Sequence, residues 1–402
     1  MIKKIHGGIT AAKGFRAAGL HSGIKSGRNP DLALIATDHR CSSAAVFTTN
    51  RAAAAPVIIT RRYSRNGNFQ AIVANSGSAN ACTGRAGLFI AEQMAAITGN
   101  LLGIPSVRVA VASTGKIGAP PPLKSLRTGI PRAVSALSTK GSRKAAAAIM
   151  TTDTFTKEAA VQLNILGKTV TIGGIAKGAG MIHPDMATML AFLTTDARIS
   201  SLELKKILKA AVDLSFNMVS VDGETSTNDM VVCLANGAAE NESVEKNQAA
   251  LRAFQAALEA VCTELAKMIA RDGEGATKLA EIRVLGAKRE DTARIIARRI
   301  SQSPLVKTAF LGEDANWGRI AAAAGSAGVE FDPARVNILF DNVAVVRNGV
   351  GLGPAAEREA ARVLGKQSFT VTLDLRSGKH SATAWTCDLT EEYIRINTAY
   401  RS

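Results

Sequence analysis

Apolar residues recur along the chain in short runs rich in β-branched side chains, at residues 32–37, 69–74, 107–112, 170–175, 189–194, 336–340 and 369–375. Runs of this length, bounded by polar or glycine-containing segments, predict strands. In the last of them Phe369, Val371, Leu373 and Leu375 alternate with polar residues, so one face of that strand meets solvent. Between the runs the spacing turns helical. Leu251, Phe254, Leu258, Val261, Leu265 and Met268 form one stripe of a helix predicted over residues 244–270, with Gly273 as its stop. A second helix begins near Ser200, which has capping-box spacing to Glu203. Its buried face is Leu204, Ile207, Leu208 and Ala211; Lys205, Lys206 and Lys209 face water. The whole pattern predicts an α/β chain of mixed sheets with antiparallel pairing and flanking helices. Pro120, Pro121 and Pro122 interrupt the chain after the third run, and Ala145 to Ala148 read as helix, but no shift of composition marks a domain boundary and no internal repeat is evident.

Composition narrows the class without naming a function. The 402 residues are 47% hydrophobic and 20% charged, ordinary globular usage that excludes a disordered or collagen-like chain. No apolar stretch reaches the roughly 18 residues of a membrane span. The five cysteines, Cys41, Cys82, Cys233, Cys262 and Cys387, show neither paired nor zinc-ligand spacing and read as reduced thiols of a cytoplasmic protein. A net charge of +16 raises the possibility of a nucleic-acid partner, but aromatics are only 4% and the cations are dispersed. Lys205, Lys206 and Lys209 on one helix, and Arg294, Arg298 and Arg299 on another, are expected to be solvated faces. The first 30 residues hold six cations and no acid, as a transit peptide would, yet six glycines spoil an amphipathic helix there. That segment is expected to belong to the mature fold.

Several catalytic patterns are missing: there is no GxSxG elbow, phosphate loop or HExxH, and the five histidines form no triad spacing. One segment offers chemistry. From Gly173 the chain reads as a strand, a glycine-rich loop and a second strand, with Pro184 ahead of the small Ala187 and the hydroxyl of Thr188. Attack of that hydroxyl on the Ala187 carbonyl would turn the peptide bond into an ester, and water would then free an N-terminal threonine. Such a residue carries its own general base, because an α-amine has a pKa of about 7.7–8.0.

The stretch Lys177-Gly-Ala-Gly-Met-Ile-His-Pro-Asp-Met-Ala-Thr188-Met-Leu closely resembles the cleavage signature of the ornithine acetyltransferase family. Further landmarks of that family follow in order from Gly7-Gly-Ile-Thr-Ala-Ala-Lys-Gly-Phe through Asn75-Ser-Gly-Ser-Ala-Asn, Ala112-Ser-Thr-Gly, Met150-Thr-Thr-Asp-Thr, Asp222-Gly-Glu-Thr-Ser-Thr-Asn-Asp and Arg271-Asp-Gly-Glu-Gly-Ala-Thr-Lys to Asp314-Ala-Asn-Trp-Gly-Arg and Ile396-Asn-Thr. Ser78, Thr156 and Ala315 depart from the pattern. By this resemblance residues 7–15 are expected to belong to the enzyme body, with no extra leader before them.

The resemblance implies a self-cleaving enzyme of the ornithine acetyltransferase and DmpA-like type, cut between Ala187 and Thr188 into chains 1–187 and 188–402 that form one catalytic unit and assemble as a heterotetramer. It implies transfer of acetyl from N-acetylornithine to glutamate through acetyl-Thr188, in arginine biosynthesis. Thr114 and Gly115 become the oxyanion hole, and Thr151, Lys177, Thr188, Glu274, Asn397 and Ser402 the substrate contacts. No metal or organic cofactor is implied, acetyl-CoA is a candidate co-substrate, and neither nucleic acid nor membrane is a partner. Asp222, Glu224, Asp314 and Arg319 are expected to organise loops away from substrate. The alternative is a self-cleaving hydrolase or aminopeptidase that passes the acyl group to water.

Overall fold

The computed structural model describes residues 2–183 and 189–399, and three sheets organise them. The central sheet has six strands in the order Lys3–Ile5, Lys157–Ile165, Lys168–Lys177, Leu190–Thr195, Met230–Ala235 and Ser42–Phe47. All its pairs are antiparallel except Leu190–Thr195 beside Met230–Ala235. An N-terminal sheet stacks on it, ordered Phe15–Leu20, Leu32–Thr37, Ala71–Ser78 and Val109–Lys116, with the last pair parallel.

Side-chain alternation explains the stack. Leu190, Phe192, Met230, Val232 and Leu234 point into the core shared with Ala33, Ile35, Ile72, Ala74, Ala110 and Ala112 of the N-terminal sheet. Their neighbours Ala191, Leu193, Val231 and Cys233 point the other way, against the helices Ser201–Leu214 and Gln248–Arg271. Leu32, Leu34, Val73 and Val111 likewise face the helices Ala55–Tyr63, Gly84–Leu102 and Leu123–Ser135. Both sheets are therefore buried on both faces between helical layers. That double burial is why their strands read as nearly continuous apolar runs.

A seven-stranded C-terminal sheet, ordered Val219–Ser220, His380–Cys387, Leu279–Ala287, Ser368–Asp374, Asn337–Phe340, Val343–Arg347 and Val350–Gly351, joins the core beyond the long helix. In Ser368–Asp374 the odd-numbered Phe369, Val371 and Leu373 are buried and their neighbours are not, the one-sided burial that alternation predicts.

The long helix begins at Gln248, not at residue 244, because the Asn247 side chain accepts from the N–H groups of Ala249 and Ala250. Residues 244–246 form a separate 3-10 turn. The Ser200 cap forms as expected, accepting from Glu203 N–H. Lys205, Lys206 and Lys209 are exposed, but Arg294, Arg298 and Arg299 are half-buried. Arg294, for one, donates to the Asp213 carbonyl at 2.8 Å. All five cysteines are free thiols, and only Cys82 is exposed. Burial pushes Cys41 up to about 12 and holds Cys233 and Cys262 higher still. Among the described residues no helix is long and apolar enough to cross a membrane.

Candidate active site

The strand Lys168–Lys177 and the strand Leu190–Thr195 pair antiparallel, with Lys177 opposite Leu190. The segment between them thus leaves and re-enters the central sheet at one end. At that end lies a cavity of about 140 Å³ lined by Thr114, Gly115, Thr151, Lys177, Glu274 and Asn397. These residues come from five places in the sequence and meet through the fold alone. Ala187, Thr188 and Ser402 lie outside the described residues. A larger hollow of about 1110 Å³ beside the helices Glu290–Ser301 and Trp317–Gly325 holds none of these residues, and its Arg289 is paired with Asp291.

Thr114 and Gly115 stand near the end of Val109–Lys116, where Gly115 is in register with Gly77. Gly115 has φ +125°, and a Cβ there would meet the Gly77 carbonyl carbon at 2.5 Å. Two glycines are needed for strands to meet this closely at a left-handed position.

Lys177 is 3% exposed, and its ammonium donates to the Thr151 hydroxyl at 3.2 Å. Burial lowers its pKa; the carboxylates of Asp153, Asp229 and Glu274 oppose that fall, and Lys157 adds to it. A cation so desolvated gains from any further anion that enters the cavity.

Beneath the cavity lies a fully buried ion cluster. Lys157 is held between Asp153, at 2.8 Å, and Asp272. Asp153 also accepts from Thr151 N–H at 2.9 Å and Gly178 N–H at 2.7 Å, so one carboxylate fixes both sides of the Lys177 pocket. Asp272 accepts from Thr154 and leads into Glu274, whose N–H donates to the Ala179 carbonyl at 2.9 Å. Burial pushes the Asp153 carboxyl up, but the charges of Lys157 and Lys177 and the bonds from Lys157 and Thr151 outweigh it and bring it down to about 2. A depressed carboxyl stabilises the fold above its unfolded pKa and loses that contribution as pH falls toward 2.

Lys157→Met should therefore destabilise the protein by about 3–5 kcal/mol at neutral pH, because two carboxylates would be left buried without their cation. The loss should shrink on acidification toward pH 4, where the Asp153 carboxyl, no longer held down by Lys157, takes up a proton. Urea midpoints at the two pH values measure it; an equal loss at both would show that packing, not charge, carries the effect.

Glu274 rests on glycine backbone. A Cβ on Gly180 would meet its carboxyl atoms at 2.4–2.6 Å. Asn397 Nδ2 donates to Glu274 Oε2 at 2.8 Å. Asn397 and Tyr393 lie one turn apart on the helix Glu391–Ala399 and both line the cavity. Gly275, at φ +70°, admits that helix: a Cβ would lie 2.6 Å from the Tyr393 amide nitrogen.

The sequence matches the ArgJ family over residues 16–402. It is 52% identical to the arginine biosynthesis bifunctional protein ArgJ of Symbiobacterium thermophilum over 400 residues, 98% of this chain and 99% of that one. The chain belongs to the ArgJ family. The protein of the same name from Caldanaerobacter subterraneus subsp. tengcongensis is 46% identical over 402 residues, 99% of each chain. Among solved structures, the ornithine acetyltransferase of Mycobacterium tuberculosis complexed with ornithine is 37% identical, covering 46% of this chain and 98% of that one at a TM-score of 0.43.

In this ArgJ-family chain Asp222 and Glu224, expected to organise loops, also line the cavity. Asp222 does organise a loop, accepting from Met181 N–H at 2.6 Å and Ile182 N–H at 2.9 Å. It borders the open space as well. Burial, with the nearby Glu274 charge, raises its carboxyl despite those bonds. Burial together with Asp222 and Glu274 also holds the Tyr393 phenol above its usual range. Sequence reading missed Tyr393, and it quoted Ser226, Thr227 and Asn228 only as part of the landmark 222–229, with no role at the site. The signal available was the unbroken polar run 222–229, abutting the buried strand Met230–Ala235. Asp314 and Arg319 are not among the residues around the cavity.

Proposed function

We propose that this chain cuts itself between Ala187 and Thr188, and that the freed threonine exchanges an acetyl group between the α-amino groups of ornithine and glutamate. The observation that carries the reading is the convergence of Thr114, Gly115, Thr151, Lys177, Glu274 and Asn397 on one cavity, at the sheet end where residue 177 leaves and residue 189 returns. The names of the relatives supply the pathway, arginine biosynthesis, and the activity, acyl transfer.

In this reading the Thr188 hydroxyl attacks the acetyl carbonyl of N-acetylornithine and hands its proton to the Thr188 amine. Thr114 and Gly115 stabilise the oxyanion. Collapse expels ornithine, which takes the proton, and leaves acetyl-Thr188; glutamate reverses the steps. Both amino acids carry an α-carboxylate, which suits the desolvated Lys177. Only ornithine carries a side-chain cation, which suits the acidic wall of Glu274, Asp222 and Glu224.

Mass spectrometry after quenching with N-acetylornithine alone should find acetyl on the Thr188 peptide, and double-reciprocal plots should be parallel. Intersecting plots with no acetyl-threonine would leave direct transfer in a ternary complex; an acetyl lost to water at the same rate with or without glutamate would favour a hydrolase. Glu274→Gln should slow ornithine release in a single turnover by about 10- to 100-fold, the scale of a charged hydrogen bond worth about 1.5–3 kcal/mol. The glutamate half-reaction should change less.

Three further assignments belong to the proposal. Chains 1–187 and 188–402 stay together as one catalytic unit and pair into a heterotetramer. Ser402 completes the substrate contacts. Acetyl-CoA loads the same threonine as a second donor, in keeping with the bifunctional name of the relatives; release of the CoA thiol on mixing with glutamate is its measure.

A further inference from the structure

Asp229 ends the polar run that leads into the strand Met230–Ala235 and is 1% exposed. Its Oδ1 accepts the backbone N–H of Met189 at 2.8 Å. The Met230 N–H donates to the Met189 carbonyl at 3.2 Å, so residues 189 and 229 are locked side by side where the parallel strands begin. The second carboxyl oxygen, Oδ2, is buried and has no hydrogen-bond partner among the described residues. A buried polar atom left unpaired costs about 1–3 kcal/mol. A neutral acceptor would serve Met189 equally well, so that hydrogen bond alone does not call for a carboxylate.

The chemistry of the chain has a use for the second oxygen. The N–H that Oδ1 holds belongs to the peptide bond joining Thr188 to Met189, one peptide unit from the nitrogen that self-cleavage would release. Burial raises the Asp229 carboxyl well above the ordinary range, against the pull of the Met189 N–H, of Lys177 on the facing strand and of the Ser226 hydroxyl. Lys177 is the charged group acting on it among the described residues.

We propose that Asp229 is a positioning residue for the nucleophile: Oδ1 fixes the amide after Thr188, and Oδ2 is kept dry and unpaired as the acceptor for the α-amino group that cleavage creates. The proposal rests on the acyl-exchange reading above. An amine acting as base must point its lone pair at its own hydroxyl, and an acceptor that holds its N–H hydrogens sets that direction. The proton moves from Oγ to the amine as the Oγ–carbon bond forms, and from the amine to the departing ornithine as the carbon–nitrogen bond breaks. Asp229 gains and loses none.

Asp229→Asn tests this. The amide oxygen keeps the Met189 contact, while an NH2 group that cannot accept replaces Oδ2. The variant should fold with an unchanged melting temperature and cut itself at close to the wild-type rate, since the amine does not yet exist during the cut. Acetyl transfer should fall about 10²-fold in kcat, the scale of general-base contributions, with little change in KM for N-acetylornithine. The acid limb of kcat/KM should move down by about 1 pH unit, because loss of the acceptor weakens the hold of the amine on its proton. Wild-type kcat with an unmoved limb would overturn the proposal. So would an equal fall in cutting and transfer with a lower melting temperature, which marks a structural anchor. A wild-type enzyme that forms no acetyl-threonine would strike the acyl-exchange reading instead, and needs no variant to reveal it.

Discussion

Thr188→Ala should yield one uncut chain of 41.9 kDa in place of fragments 1–187 and 188–402, and acetyl transfer should drop by about 10⁴-fold or more. Both losses have one cause. In the proposed mechanism the hydroxyl that attacks the Ala187 carbonyl during the cut is the hydroxyl that later carries acetyl, and the amine that serves as base is the product of the cut. Intact mass and a glutamate-dependent deacetylation assay read the two outcomes separately. An uncut variant that transferred acetyl at the wild-type rate would remove Thr188 from the chemistry, and a cut variant would place the scissile bond elsewhere. Thr188→Ser, which keeps a hydroxyl, should recover part of both activities.

The second large effect is expected at Gly115. Alanine there adds a Cβ 2.5 Å from the Gly77 carbonyl carbon, at a φ of +125° that side chains avoid. Backbone, not a flexible side chain, is in the way, so the two strands must separate at the end that carries Thr114. An oxyanion donor displaced by a fraction of an ångström loses most of its value, and about 10²–10³ in kcat should go with it. Self-cleavage should slow in parallel, since its tetrahedral intermediate needs the same donors, and Thr114→Val should act in the same direction. Gly103→Ala is the control. Gly103 has a φ of +66° and open space around its Cβ position, so that variant should lose about 1 kcal/mol of stability to backbone strain and keep its kcat. If the two alanine variants lost activity equally, strain rather than the oxyanion site would account for both.

How far the sequence spoke depended on what each segment buries. Runs such as 32–37 and 189–194 announced themselves because both faces of their sheets are covered, which leaves no polar alternation to dilute the signal. The strand Ser42–Phe47 was passed over because it is built of serine and alanine and lies at the sheet edge. Lys157–Ile165 was passed over because it opens with a lysine, a residue that ordinarily marks solvent, and here that lysine is fully buried between two aspartates. The candidate site shows the same division. Thr114, Gly115, Thr151, Lys177, Glu274 and Asn397 were picked out by resemblance, and the fold brings them to one cavity. Asp153, Asp272 and Asp229, which brace that cavity from below, stand within the quoted motifs, but their burial and their partners were not legible there. Nothing in a string of letters distinguishes a carboxylate in water from one sealed in a core; only the partners that neutralise it do.

The hydrogen-bonded pairing of Lys168–Lys177 with Leu190–Thr195 has a consequence for the order in which this enzyme can be made. While the chain is continuous the two strands are tethered by a short connection, and each finds the other at a high effective concentration. A cut between them leaves the native contacts in place and abolishes the tether. Refolding of the cut protein then becomes an encounter between separate molecules, slow and dependent on dilution, whereas the uncut precursor folds at a rate indifferent to concentration. If the working enzyme is the cut pair proposed above, it is held by the history of its assembly, and once taken apart it has no unimolecular way back.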